Sequence, residues 1–103
     1  MLDVKKLLTK ILTEKQNLMA VERHSASVSL PASNSATVDV TMTKSGYKFV
    51  GVAGFQCDGT GATLVFVSSA FKYNDTTARV ILRNSTSTAR SFTLYVYGLY
   101  VKS

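Results

Sequence analysis

From Leu18 to the last residue the chain keeps a two-residue rhythm of apolar and polar side chains, broken at short intervals by turn residues. Only pleated strands satisfy that period, and several short strands separated by turns fold as a sandwich or barrel. Residues 36–43 show it most clearly, with Val38, Val40 and Met42 on one face and Thr37, Asp39, Thr41 and Thr43 on the other. Lys44-Ser45-Gly46 turns the chain into a strand at 47–55, and Asp58-Gly59-Thr60-Gly61 predicts a tight hairpin into 62–71. Asn74-Asp75 turns into 77–82, where Ala78, Val80 and Leu82 alternate with Arg79, Ile81 and Arg83. In the final strand, 91–101, Phe92, Leu94, Val96 and Gly98 face one way and Thr93, Tyr95, Tyr97, Leu99 and Val101 the other. Large apolar groups on both faces place this strand at the centre of a sandwich or against another subunit.

The first 17 residues follow a different period. Val4, Leu7, Leu8 and Ile11 fall on one stripe of a helix, with Leu18 one further step along it and Lys5, Lys6, Lys10 and Glu14 elsewhere. With Val4 as heptad position a, the seam runs about two heptads before Glu14 interrupts it. A helix this short is marginal in water without tertiary contacts, so its stripe needs a partner. Docking on its own β-domain and bundling between chains are the two ways to supply one. The expected organisation is an N-terminal oligomerisation helix at 1–17 and an antiparallel, jelly-roll-like β-sandwich at 18–103.

Length and composition narrow the function classes. At 103 residues there is room for one modest core. The formal charge of +6 suggests acidic partners, but Lys5, Lys6, Lys10 and Lys15 hold half of the eight lysines, and the other basic residues are scattered singly. That pattern argues against a nucleic-acid footprint; a salt-sensitive nucleic-acid or membrane-surface binder using those four lysines is the third-ranked reading. The charged opening has neither the apolar core of a signal peptide nor a bilayer-spanning run, so cytoplasmic synthesis is expected. The two Asn-x-Thr sites, at Asn74 and Asn84, then carry no glycosylation meaning.

Catalytic chemistry finds little footing. One cysteine, Cys57, and one histidine, His24, leave no zinc-ligand set and no intrachain disulfide. Cys57 reads as a half-buried thiol with no basic cluster to activate it, and His24 as an exposed strand-edge or turn residue. Gly51, Gly54, Gly59 and Gly61 lack the Lys-Ser/Thr ending of a phosphate loop and suit bulges and a turn instead. Asp39, Asp58 and Asp75 fall on different elements, so no acid–base pair is visible. No enzymatic activity, cofactor or metal is expected. Tyr73, beside Asn74 and Asp75 in a turn, is the candidate ligand-contact loop, because a tyrosine among polar neighbours can stack on a sugar or meet a partner.

Four stretches, Leu2-Asp3-Val4-Lys5-Lys6-Leu7-Leu8-Thr9-Lys10-Ile11-Leu12, Lys44-Ser45-Gly46-Tyr47-Lys48-Phe49-Val50-Gly51-Val52-Ala53-Gly54-Phe55, Thr77-Ala78-Arg79-Val80-Ile81-Leu82-Arg83-Asn84-Ser85 and Leu94-Tyr95-Val96-Tyr97-Gly98-Leu99-Tyr100-Val101-Lys102, cover a little under half of the chain. In their order they resemble small phage-encoded structural proteins of Gram-positive bacteria, the tail-fibre or baseplate-associated receptor-binding head domains. The resemblance implies a virion-associated homotrimer with N-terminal helices on the threefold axis and β-sandwich heads beyond, engaged in host-surface adhesion or virion decoration. Its partners would be a cell-surface glycan or another virion protein. The alternative expectation is a stand-alone carbohydrate-binding or adhesin-like β-sandwich.

Overall fold

A computed structural model describes residues 3–59 and 65–103, with the side chains of 11–17 outside that description. One helix, α1 (Val4–Leu18), precedes six strands among the described residues: β1 (Met19–Leu30), β2 (Asn34–Thr41), β3 (Tyr47–Asp58), β4 (Val65–Asn74), β5 (Thr77–Asn84) and β6 (Arg90–Lys102). The strands form two antiparallel three-stranded sheets, β1-β6-β3 and β2-β5-β4.

Of the successive strand pairs, β4 and β5 alone stay in one sheet, and every other connection crosses between sheets. The chain is thereby an antiparallel ribbon, β1 against β6 and β2 against β5, rolled so that its halves face each other. This is jelly-roll wrapping on six strands, in an all-β antiparallel sandwich. The hairpin expected at Asp58-Gly59 is corrected by this topology. β3 and β4 belong to different sheets, and Gly59 (φ 118°) starts a connection between them whose residues 60–64 lie outside the described set. Each strand has one strongly apolar face, and the roll places both faces inward where a flat hairpin would leave them side by side.

The core forms where the alternation predicts. Val40 of β2, Met42 just beyond its end, and Phe49, Leu94, Val96 and Tyr100 from the other sheet are buried, as are Ala78, Val80 and Leu82 of β5. β5 and β6 are the central strands, which accounts for the apolar character of β6 on its inner side. Gly51 and Gly54 stand at two register shifts of β3 against β6, matching the bulge reading. Gly46 (φ 78°) supplies the left-handed residue of the β2–β3 turn, closed by the Tyr47 amide donating to the Lys44 carbonyl at 3.1 Å.

The helix begins at Asp3, whose carboxylate accepts from the Lys6 amide at 3.1 Å as an N-cap. It passes into β1 with no intervening loop, since Met19 is already extended. The molecule measures 72 × 24 × 18 Å, with every described helical side chain from Val4 to Lys10 exposed. The helix therefore projects along the long axis, and its described side chains from Val4 to Lys10 do not pack on its own β-domain.

Candidate functional site: the helix stripe and the helix-side end of the sandwich

Strand pairing defines two ends. The helix, the β2–β3 turn and the β4–β5 turn gather at one end, where Met19 pairs with Val101 and Thr41 with Thr77. The β1–β2 and β5–β6 loops lie at the other, distal end, where Leu30 pairs with Arg90 and Asn34 with Asn84.

Of the predicted oligomer seam, Val4 (60 % exposed), Leu7, Leu8 and Leu18 are all open to solvent; the Ile11 side chain lies outside the described residues. Among the described residues none buries them, and an apolar stripe of this kind left in water forgoes roughly 1.5–3 kcal/mol for each large side chain it fails to bury.

The predicted ligand loop is rearranged. Tyr73 is not in a turn: it belongs to β4, because Asn74 still pairs with Thr77 and the turn proper is Asp75-Thr76. The Arg79 guanidinium lies 3.5 Å above the Tyr73 ring and is held there by two bonds to Asp39, at 2.9 and 3.1 Å. That pairing holds the Asp39 carboxyl below its usual range and occupies one face of the ring a sugar would need. Asn74 Oδ1 accepts from the Thr76 amide and hydroxyl, and Asp75 pairs with Lys72 at 3.1 Å. The three residues adjoin in sequence but converge on no common point.

An open cleft of about 590 Å³ does occur at this end. Met42, Tyr47 and Phe49 line it with Lys44, Lys48 and Asp75, so Asp75 is the member of the predicted loop that reaches it. Sequence reasoning missed the cleft because its walls come from two turns 30 residues apart, which only the roll brings together.

Behind the cleft, the inner face of β1 carries polar residues that period alone did not flag. Glu22 and His24 sit opposite Gly98 and Val96, both inward-facing. His24 is thus a half-buried inner residue on an edge strand, which corrects the exposed role expected of it. Glu22 Oε2 lies 3.3 Å from Lys44 Nζ and 4.0 Å from His24 Nε2. The Tyr100 hydroxyl and His24 Nε2 are buried without hydrogen-bond partners. Burial, with the Glu22 carboxylate nearby, pushes the Tyr100 phenol up to about 12.

Because folding raises that pKa above its ordinary value of 10, the folded state holds the proton that the unfolded chain loses, and stability falls as pH rises from 10 towards 12. Tyr100→Phe is expected to keep neutral-pH stability within about 1 kcal/mol, since it deletes an unpaired hydroxyl, and to flatten the alkaline fall. Denaturant midpoints from pH 8 to 12 measure both.

Cys57 is half-buried and burial pushes its thiol up, which disfavours the thiolate. It lies on β3 and His24 on β1, at opposite edges of the sheet with β6 between, so the two form no nucleophile–base pair. Asp39, Asp58 and Asp75 likewise stand apart, on the outer face of β2, the distal end of β3 and the β4–β5 turn. Among the described residues no cluster of three metal-ligand side chains occurs, and no helix is long and apolar enough to cross a membrane.

At the distal end Asn84, the other Asn-x-Thr asparagine, is fully buried. Its Nδ2 donates to the carbonyls of Leu30 (3.3 Å), Pro31 (3.2 Å) and Thr88 (2.9 Å), and its Oδ1 accepts from the Thr86 amide and hydroxyl. One side chain thus ties the β1–β2 loop to the β5–β6 loop. Comparison with protein-family models, with curated proteins and with solved structures finds no match to this chain.

Proposed function

We propose that the chain is a phage or prophage structural protein that works as a homotrimer, its helices bundled into a short stalk and its jelly-roll heads presented for host-surface adhesion or virion decoration. The observation that carries this reading is the helix itself, which runs straight out of β1 along the molecular axis with Val4, Leu7 and Leu8 exposed on one stripe. A side-by-side bundle of copies covers such a stripe without changing the fold of the head. The distal loops then point away from the stalk, and the Asn84 network gives two of them the rigidity that a recognition surface needs. The order of the four sequence stretches that resemble phage head domains supports the virion setting.

The whole chain is expected to sediment at three times its 11.2 kDa mass, and Leu7→Asp with Leu8→Asp should return it to a single chain with its β circular dichroism intact. A monomeric wild-type chain would overturn the proposal. The second reading, a stand-alone glycan-binding module, draws on the helix-side cleft with Tyr47 on its wall; it predicts a monomer whose glycan binding is lost in Tyr47→Ala.

A further inference from the structure

The outer face of the β1-β6-β3 sheet changes character along its length. Towards the distal end it is polar: Ser29 lies opposite Ser91, Ser27 opposite Thr93, and Asp58 flanks Thr93 from β3. Towards the helix it becomes apolar. Met19 lies opposite Val101 and Val21 opposite Leu99, and on the β3 side Gly51 and Gly54 set no side chain beside Leu99 and Tyr97, while Lys48 beside Val101 and Arg23 opposite Tyr97 bound the apolar group with charge. Val21 is 61 % exposed and Met19 52 %. At the boundary Arg23 covers Tyr95, 4.3 Å from its ring centre, and the Tyr97 hydroxyl meets Gln56 at 3.3 Å, so polar groups rim the apolar half.

We infer that this helix-side half of the sheet is the second part of an interface between copies of this chain, continuous with the helix stripe. The inference rests on the oligomeric reading above. Two observations select a second copy as the occupant. The apolar surface runs unbroken from Leu18 into Met19 and Val21 because no loop separates helix from strand, so copies joined through their helices have these strands close together. Area gives the other. A 15-residue helix is roughly 22 Å long and its stripe about 10 Å wide, which falls well short of the ~800 Å² that each partner of a stable pair buries. Three strands, about 14 Å across, over the five residues from Tyr97 to Val101, about 17 Å, add a footprint of about the same size, so helix and sheet half together come to more than half of that area where the helix alone reaches about a quarter. Among the described residues the opposite sheet offers no equivalent: its exposed Phe66 and Phe71 stand opposite Arg83 and Arg79, and Arg79 is ion-paired to Asp39.

Light scattering on the whole chain and on Val21→Glu, Leu99→Lys and Phe66→Glu tests the inference. Each of the first two should weaken association by about a hundredfold, because a charge is forced into an apolar contact, while Phe66→Glu leaves the mass unchanged. A second measurement does not depend on disruption: Val21→Cys in a Cys57→Ser background should cross-link between chains with a short bis-maleimide. If wild type is oligomeric and Leu7→Asp with Leu8→Asp dissociates it, but Val21→Glu and Leu99→Lys keep the wild-type mass and the cysteine does not cross-link, the sheet inference fails and the helix reading stands. A monomeric wild type overturns both.

Discussion

Asn84→Ala is expected to destabilise the domain by about 3–5 kcal/mol, more than truncation of any other polar side chain described. From a fully buried position the amide shares its two Nδ2 protons among three carbonyls and accepts twice at Oδ1, the equivalent of four hydrogen bonds at about 1 kcal/mol net each. Its loss takes their partner from the Pro31 carbonyl and the Thr86 amide with costs of the same order, while the Thr88 carbonyl keeps the Thr86 hydroxyl at 2.8 Å. The β1–β2 and β5–β6 loops would lose their shared tie, so the Ser33 amide bond to the Thr86 carbonyl at 2.9 Å should weaken as well. For a domain of this size the shift corresponds to at least ~12 °C in melting temperature. Asn84→Asp should cost at least as much, since it turns a donor facing three carbonyls into an acceptor. Denaturant titrations of the two variants against wild type give the values, and hydrogen exchange should show the gain in opening confined first to the distal loops.

Asn84 also marks the limit of what the pattern of residues conveys. In sequence it is an unremarkable turn asparagine, because the carbonyls it satisfies come from residues 30 and 31, more than 50 positions away, and from Thr88. The strands themselves were legible, since alternation is a local consequence of the pleat: Val38, Val40, Met42, Ala78, Val80 and Leu82 all face inward as their spacing requires. Strand partners were not legible. Asp58-Gly59 has the chemistry of a tight turn, yet β3 and β4 lie in different sheets, as the roll of the whole ribbon demands. The same non-local step brings the β2–β3 and β4–β5 turns into one cleft and turns His24 and Glu22 inward from an edge strand. Of the expected site, the helix stripe was readable from its period, and the structure adds that Val4, Leu7, Leu8 and Leu18 of it stand exposed. The Tyr73 loop failed as a convergent site because its ring was already committed to Arg79 across the strand pair.

Gly98 gives the second large effect, at a position where the strand pattern alone would accept any apolar residue. A Cβ there would stand 2.7 Å from Met42 Cε and 2.9 Å from both Cε2 and the hydroxyl of Tyr100. The Met42 methyl is the end of a flexible chain and can swing away at little cost. The Tyr100 ring cannot, because it is fully buried between Phe49 (ring centres 5.7 Å apart) and His24 (6.2 Å). Gly98→Ala is therefore expected to cost about 2 kcal/mol, the overpacking penalty outweighing the few tenths to 1 kcal/mol that alanine gains by restricting the unfolded chain. Gly98→Val should cost more, ~3 kcal/mol or beyond, because its two further methyls meet the same ring. The cause is separable by a double-mutant cycle: Tyr100→Leu removes the Cε2 and hydroxyl that the new Cβ strikes, so Gly98→Ala measured in that background should lose at least half of its penalty. If the full penalty persists in the Tyr100→Leu chain, the obstacle at Gly98 is the β6 backbone itself and not the tyrosine folded across it.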